Sequence, residues 1–125
     1  MSKPEQHTFD DVSREVIGAA LEVHRTLGPH FEELTYQLAL AQEFRRRGLD
    51  YGREVHVPIY YKGRKLHARR VDFVVAECMV EIKAKAVLEP KDFEQTLSYL
   101  KASDYKVALL LNFGAKKLEI KRIVN

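Results

Sequence analysis

Two short apolar runs, each interrupted by one carboxylate, constrain this chain more than any other feature. They are Val71-Asp72-Phe73-Val74-Val75 and Val80-Glu81-Ile82-Lys83. Apolar runs of this length read as neighbouring strands. Side chains alternate faces along a strand, so Glu81 and Lys83 share a face while Ile82 points into the opposite layer. If the strands pair, Asp72 approaches Glu81 and Lys83. A carboxylate among Val71, Phe73, Val74 and Val75 must be paired, metal-bound or protonated. Two anionic oxygen donors and one ammonium in a small volume suit a hard divalent cation and a phosphate. The bland alternative is a surface ion pair, because Glu-x-Lys on an exposed strand is common and contributes little. The apolar setting of Asp72 favours a site.

The remaining periodicity places this pair in a larger frame. Val12, Val16, Ala20, Val23 and Leu27 recur at helical spacing from Thr8 or Asp10 onward. Leu27-Gly28-Pro29 ends that helix, since Gly suits the C-cap and Pro disfavours helical geometry in its predecessor. A second helix is expected with Phe31, Leu34, Leu38, Ala41 and Phe44 on one side, stopping at Gly48 after three arginines. From Tyr51 the period changes to two. Val55, Val57 and Ile59 mark a strand, Lys62-Gly63 a turn, and Lys65 to Val75 a second strand. Ala76-Glu77 connects tightly into a third, Cys78 to Ala84. Pro90 opens a helix through Phe93, Leu97 and Leu100. Tyr105 to Asn112 is so apolar that it reads as a strand buried on both faces. A last strand follows Phe113-Gly114-Ala115, with Leu118, Ile120 and Ile123 facing in. A helix between strands implies a crossover, hence an α/β (α+β) fold: a mixed central sheet flanked by helices.

At 125 residues this is most simply one domain, 11–125, behind a loose polar stretch at 1–10. The lone Cys78 excludes an intrachain disulfide and a thiolate metal cluster, and with no leader-like or bilayer-length apolar run a cytoplasmic location is expected. The histidines lack paired ligand spacing, so zinc is not expected, and no phosphate-cradling Gly-rich loop is present. Net charge is only +3, but the basic residues cluster. For any single cluster a solvated rim is the simpler reading. Arg69-Arg70 gains weight from standing beside Asp72.

Asp, a strand connection, then Glu-x-Lys resembles the core signature of the PD-(D/E)xK nuclease superfamily. There the motif sits on the second and third strands of a restriction-endonuclease-like αβββαβ core. The order expected here is similar, with an extra N-terminal helix and C-terminal strand. Gln95-x-x-x-Tyr99 resembles the Gln-xxx-Tyr element of the RecB-like branch, and Glu33-x-x-Tyr36 stands where the superfamily often supplies a further acid. More narrowly, Leu27 to Tyr36, Val57 to Gly63, Val80 to Ala84, Leu111-Asn112-Phe113-Gly114 and Leu118 to Val124 resemble landmarks of the small bacterial and archaeal GxxExxY family. His30 replaces that family's Gly, and Lys85-Ala86 departs from its pattern after the motif.

The resemblance implies a metal-dependent nuclease acting on DNA. Asp72, Glu81 and the backbone carbonyl of Ile82 would hold Mg²⁺ or Mn²⁺, with Glu33 as a further ligand. Lys83 would orient the nucleophile. Gln95, Tyr99, Tyr36, Arg70 and Lys85 would bind nucleic acid or brace the site. A homodimer or partner protein would be a natural source of specificity in so small a domain. The alternative is an inactive nucleic-acid- or protein-binding module on the same fold; joint retention of Glu33, Asp72, Glu81, Lys83, Gln95 and Tyr99 favours the enzyme.

Overall fold

The computed structural model describes residues 9–125, with side chains from Asp11 onward. The loose stretch expected at 1–10 falls largely outside those residues, as does His7. Three helices and five strands follow in the order α1 Phe9–Leu27, α2 Glu33–Arg46, β1 Gly52–Tyr61, β2 Arg64–Val75, β3 Cys78–Lys83, α3 Pro90–Lys101, β4 Val107–Asn112 and β5 Glu119–Val124. The strands form one mixed sheet in chain order. β1, β2 and β3 are antiparallel neighbours, β3 and β4 are parallel, and β4 and β5 are antiparallel. The expected crossover is α3, which links the parallel pair.

Alternation along the strands sorts the core into two layers. Val80, Ile82, Val107, Leu109 and Leu111 face α1 and α2. Met79, Ala108 and Leu110 face α3 and its Leu100. β4 is buried along its whole length, as a strand covered on both sides must be. Ile123 lies in the α3 layer, whereas Leu118 and Ile120 pack in the other.

The face expected for α2 is corrected. Phe31 precedes the helix, and Leu34 and Leu38 are exposed. The buried stripe is Tyr36, Gln37, Leu40, Ala41 and Phe44. Tyr36 rotates it: the ring stacks on Phe113 at 4.7 Å, and the hydroxyl donates to the Gly28 carbonyl while accepting the Phe31 amide. Phe44 and Phe73 meet edge to face at 5.1 Å, tying the far end of α2 to β2.

Two turns set the strand registers. Lys62 and Gly63 both have positive φ, the twist-matched geometry of a two-residue hairpin. Ala76 takes φ 52° between β2 and β3. β3 ends at Lys83, one residue short of the expected end. Among the described residues no helix is long and apolar enough to cross a membrane.

Candidate active site

The site begins where β2 and β3 stop pairing. Their ladder runs from Val75↔Cys78 to Phe73↔Val80 and goes no further. On the other side, β2 kinks against β1: Glu54, which would oppose Asp72, has φ 53° and drops out of the pairing. Val71 packs in the α3 layer and Phe73, two residues on, in the other layer. The pleat therefore changes sides at Asp72. Kinks of this kind re-aim a side chain next to functional sites.

Asp72 fills the gap left by the missing ladder bonds. Its Oδ2 accepts the Ile82 amide at 2.7 Å, and its own amide donates to Glu81 Oε1 at 3.3 Å. Its Oδ1 accepts Gln37 Nε2 at 3.0 Å. The same Gln37 receives Arg53 through its carbonyl at 2.7 Å, so α2 and β1 both brace this carboxylate.

Glu81 is buried, and its other oxygen meets Arg69 at 2.7 Å. The Arg69 guanidinium lies over the Tyr99 ring, 4.1 Å from its centroid. Burial pushes the Glu81 carboxyl above the ordinary glutamate range. Arg69 opposes that push and Asp72 adds to it. Glu33, at the start of α2, is also raised, first by partial desolvation and then by Asp72 and Glu81, with Lys83 working against them. Glu33, Asp72, Glu81 and Lys83 thus share one electrostatic environment.

Asp72, Glu81, Lys83 and Glu33 gather at the open end of the β2–β3 seam, with Tyr99 joined to them through Arg69, while the other candidates make contacts of their own or face solvent. Arg70 is exposed and pairs with Glu54 at 3.1 Å, because it points to the opposite side of β2 from Arg69. Lys85 follows the end of β3 and turns to Glu89 and Asp92, at 2.8 Å each. Tyr36 is buried beneath the α1–α2 connection, in a bracing position rather than a surface for nucleic acid. Gln95 is exposed on α3, one helical turn before Tyr99. Cys78 is buried, and desolvation raises its thiol to about 12, which leaves it inert as a nucleophile.

Sequence reasoning missed Gln37 and Asn112, and of the flagged pair Arg69-Arg70 it took the wrong member as the candidate. Gln37 lies one turn beyond Glu33, a spacing that would have flagged it. Arg69, not Arg70, enters the site, and only the kink decides which. Asn112 is fully buried at the end of β4. Its Oδ1 accepts the amides of Lys85 and Gly114, and its Nδ2 donates to the Lys85 carbonyl and to Glu119 Oε1. A polar residue closing the apolar run Val107 to Leu111 was the available signal. Gly114 completes this contact: a Cβ there would stand 2.3 Å from the Lys85 nitrogen.

A sequence profile of the PD-(D/E)XK nuclease superfamily matches residues 10–123. The chain belongs to this superfamily. The mixed five-stranded sheet with its three helices is accordingly a restriction-endonuclease-like fold. Comparison with curated proteins finds no match, nor does comparison with solved structures. Membership points to nuclease-type function and nucleic acid as the partner class, and nucleases of this superfamily generally use divalent metals.

Among the described residues, no three His, Cys, Asp or Glu side chains form a ready-made ion shell. The donor chemistry nevertheless fits a hard cation. Every donor is oxygen, and a buried carboxylate held above its ordinary range is one that added positive charge would relieve. Arg69 pairs with Glu81, while the Ile82 amide and Gln37 hydrogen-bond Asp72.

Proposed function

We propose that this chain is a divalent-metal-dependent nuclease that hydrolyses phosphodiester bonds in DNA, in one cytoplasmic domain over 11–125. The observation that carries the reading is the splayed end of β2 and β3. There Asp72 and Glu81 are joined through main-chain amides, in the electrostatic neighbourhood of Glu33 and Lys83. Asp72, Glu81, the Ile82 carbonyl and Glu33 are the residues that would hold Mg²⁺ or Mn²⁺. Such an ion, when bound, polarises a phosphate and acidifies a water.

The chain's own groups do the rest. Lys83 supplies a fixed ammonium where negative charge develops on the phosphorane oxygens, and orients the attacking water. Gln37 holds Asp72 in one rotamer through its Nε2. Tyr99 carries Arg69 on its ring face, and Gln95 stands one turn away at the helix surface. Arg69 must release Glu81 before that carboxylate can take a metal, and a released guanidinium is well shaped to clamp a phosphate.

The Arg69–Glu81 pair also supports a second reading, an inactive nucleic-acid-binding module whose acids are permanently neutralised. Incubation with plasmid and single-stranded DNA, with Mg²⁺ or Mn²⁺ against EDTA, separates the two. The enzyme cleaves only with metal, and Asp72→Asn or Lys83→Ala lowers the rate on the order of 100-fold or more. Cleavage indifferent to both substitutions sinks the site. Retention of DNA without cleavage by any variant favours the module.

A further inference from the structure

Charge on this chain is segregated beyond the part that the site uses. Residues 55–71 hold five Lys and Arg and no Asp or Glu. The whole chain carries +3, so everything outside this segment sums to −2. The segment is the outer part of the β1–β2 hairpin. β2 pairs with β3 only over Phe73 to Val75, so Arg64 to Asp72 have β1 alone as a ladder partner. The inner part of this arm is tied down: Val57 and Val71 pack in the α3 layer, and the Tyr60 amide donates to the Ala102 carbonyl at 2.9 Å. Beyond it, residues 61–67 are exposed without interruption.

The arm starts at the site. Arg69, opposite Val57 in the register, reaches Glu81. His67 follows two residues out on the same strand face. The tip then presents Lys62, Arg64 and Lys65, with the exposed Tyr61 ring lying 5.3 Å from the Lys62 ammonium. Guarding an unpaired edge calls for isolated charges, lysine above all, and does not require that acids be excluded from the whole segment. Arg69 and Arg70 are matched by Glu81 and Glu54, but the exposed tip carries Lys62, Arg64 and Lys65 with no acid within the segment, a single-sign patch suited to a polyanion.

We infer that the β1–β2 hairpin is the nucleic-acid grip of this protein, holding the phosphodiester backbone outward from the site. The inference rests on the nuclease reading for its ligand, and on charge placement and topology for its location. Phosphate contacts position a duplex without reading its sequence. The chain therefore holds DNA by charge at the arm's tip, while the site acts on whichever phosphate reaches it.

The test measures binding of a labelled DNA duplex in EDTA across a range of salt concentration. Compared with wild type are a tip triple variant, Lys62→Gln with Arg64→Gln and Lys65→Gln, and a control triple, Lys116→Gln with Lys117→Gln and Lys121→Gln. All six side chains are exposed, and both triples remove the same charge. The tip triple should flatten the slope of log affinity against log salt by about 2–3, and lose affinity on the order of tens-fold. The control should keep the wild-type slope. A tip triple that binds as wild type does, or two triples that fall equally, overturns the inference. So does a wild type that holds no DNA at low salt, which would leave the arm to an acidic protein surface. Parallel cleavage assays with metal keep the two proposals apart. Lys83-dependent cleavage with unchanged tip binding removes the grip alone, and tip-dependent binding with no cleavage removes the nuclease alone.

Discussion

Two acid-rich clusters lie two residues apart along the same stretch of chain, and they are built in opposite senses. Around Lys85, the carboxylates of Glu89 and Asp92 are both matched: hydrogen bonding to the lysine pulls each below its ordinary range. Asp92 also accepts the Glu89 amide, closing a capping box at the start of α3. Around Lys83, Glu33 and Glu81 are both held above their ordinary range by burial and by neighbouring acids. One cluster stabilises a helix end. The other keeps an unfavourable concentration of negative charge, a cost that proteins retain where a cation or a reaction will use it.

The contrast makes substitutions in the two clusters fail differently. Asp72→Asn should lower metal-dependent DNA cleavage on the order of 100-fold or more with little change in melting temperature. Asp92→Ala should do the reverse, lowering stability by about 1 kcal/mol, or roughly 4 °C in melting temperature, with cleavage nearly retained. Equal effects of both on both readouts would erase the distinction. Next in size, Arg69→Ala should enlarge the melting-temperature increase produced by Mg²⁺ or Mn²⁺, because the ion no longer competes with a guanidinium for Glu81. An unchanged or smaller metal-induced shift would show that Arg69 does not hold the cation's place.

The smallest effect concerns pH. A carboxylate raised in the folded state contributes stability that is present below its unfolded pKa and lost as pH rises through the folded value. Glu33 and Glu81 follow that rule. Glu89 and Asp92, being lowered, give stability that is lost as pH falls through their folded values. Glu33→Gln should therefore raise stability at neutral pH by a few tenths of a kcal/mol after solvent screening, and reduce the gain seen on mild acidification. Urea unfolding at two pH values reads this directly, and a neutral-pH loss would contradict the raised state of Glu33.

Most of the architecture was legible because local signals agreed with the tertiary outcome. Gly28 and Pro29 end α1, the apolar run Val107 to Leu111 announces a strand covered on both faces, and the helix before it implies the parallel pair. The face of α2 was not legible, since Phe31, Leu34 and Leu38 mimic a buried stripe that the Tyr36 hydroxyl and ring displace. Asp72, Glu81 and Lys83 could be named as candidates from strand alternation and their apolar setting, and Glu33 only from the family resemblance. Which arginine joins them could not, because the positive φ at Glu54 and the break in pleat at Asp72 change sides between Arg69 and Phe73. Buried polar contacts of Gln37 and Asn112 were invisible for a related reason: their partners are distant in sequence and defined only once the sheet is assembled.

Asn112 has a practical consequence for anyone reshaping this protein. One amide fastens the segment just past the site lysine to the two chain stretches that flank the final turn, and Gly114 leaves no room for slack between them. The lysine and that turn thus form a single mechanical part. Grafting the strand alone onto another scaffold would import the chemistry without its alignment, whereas carrying both pieces together preserves it.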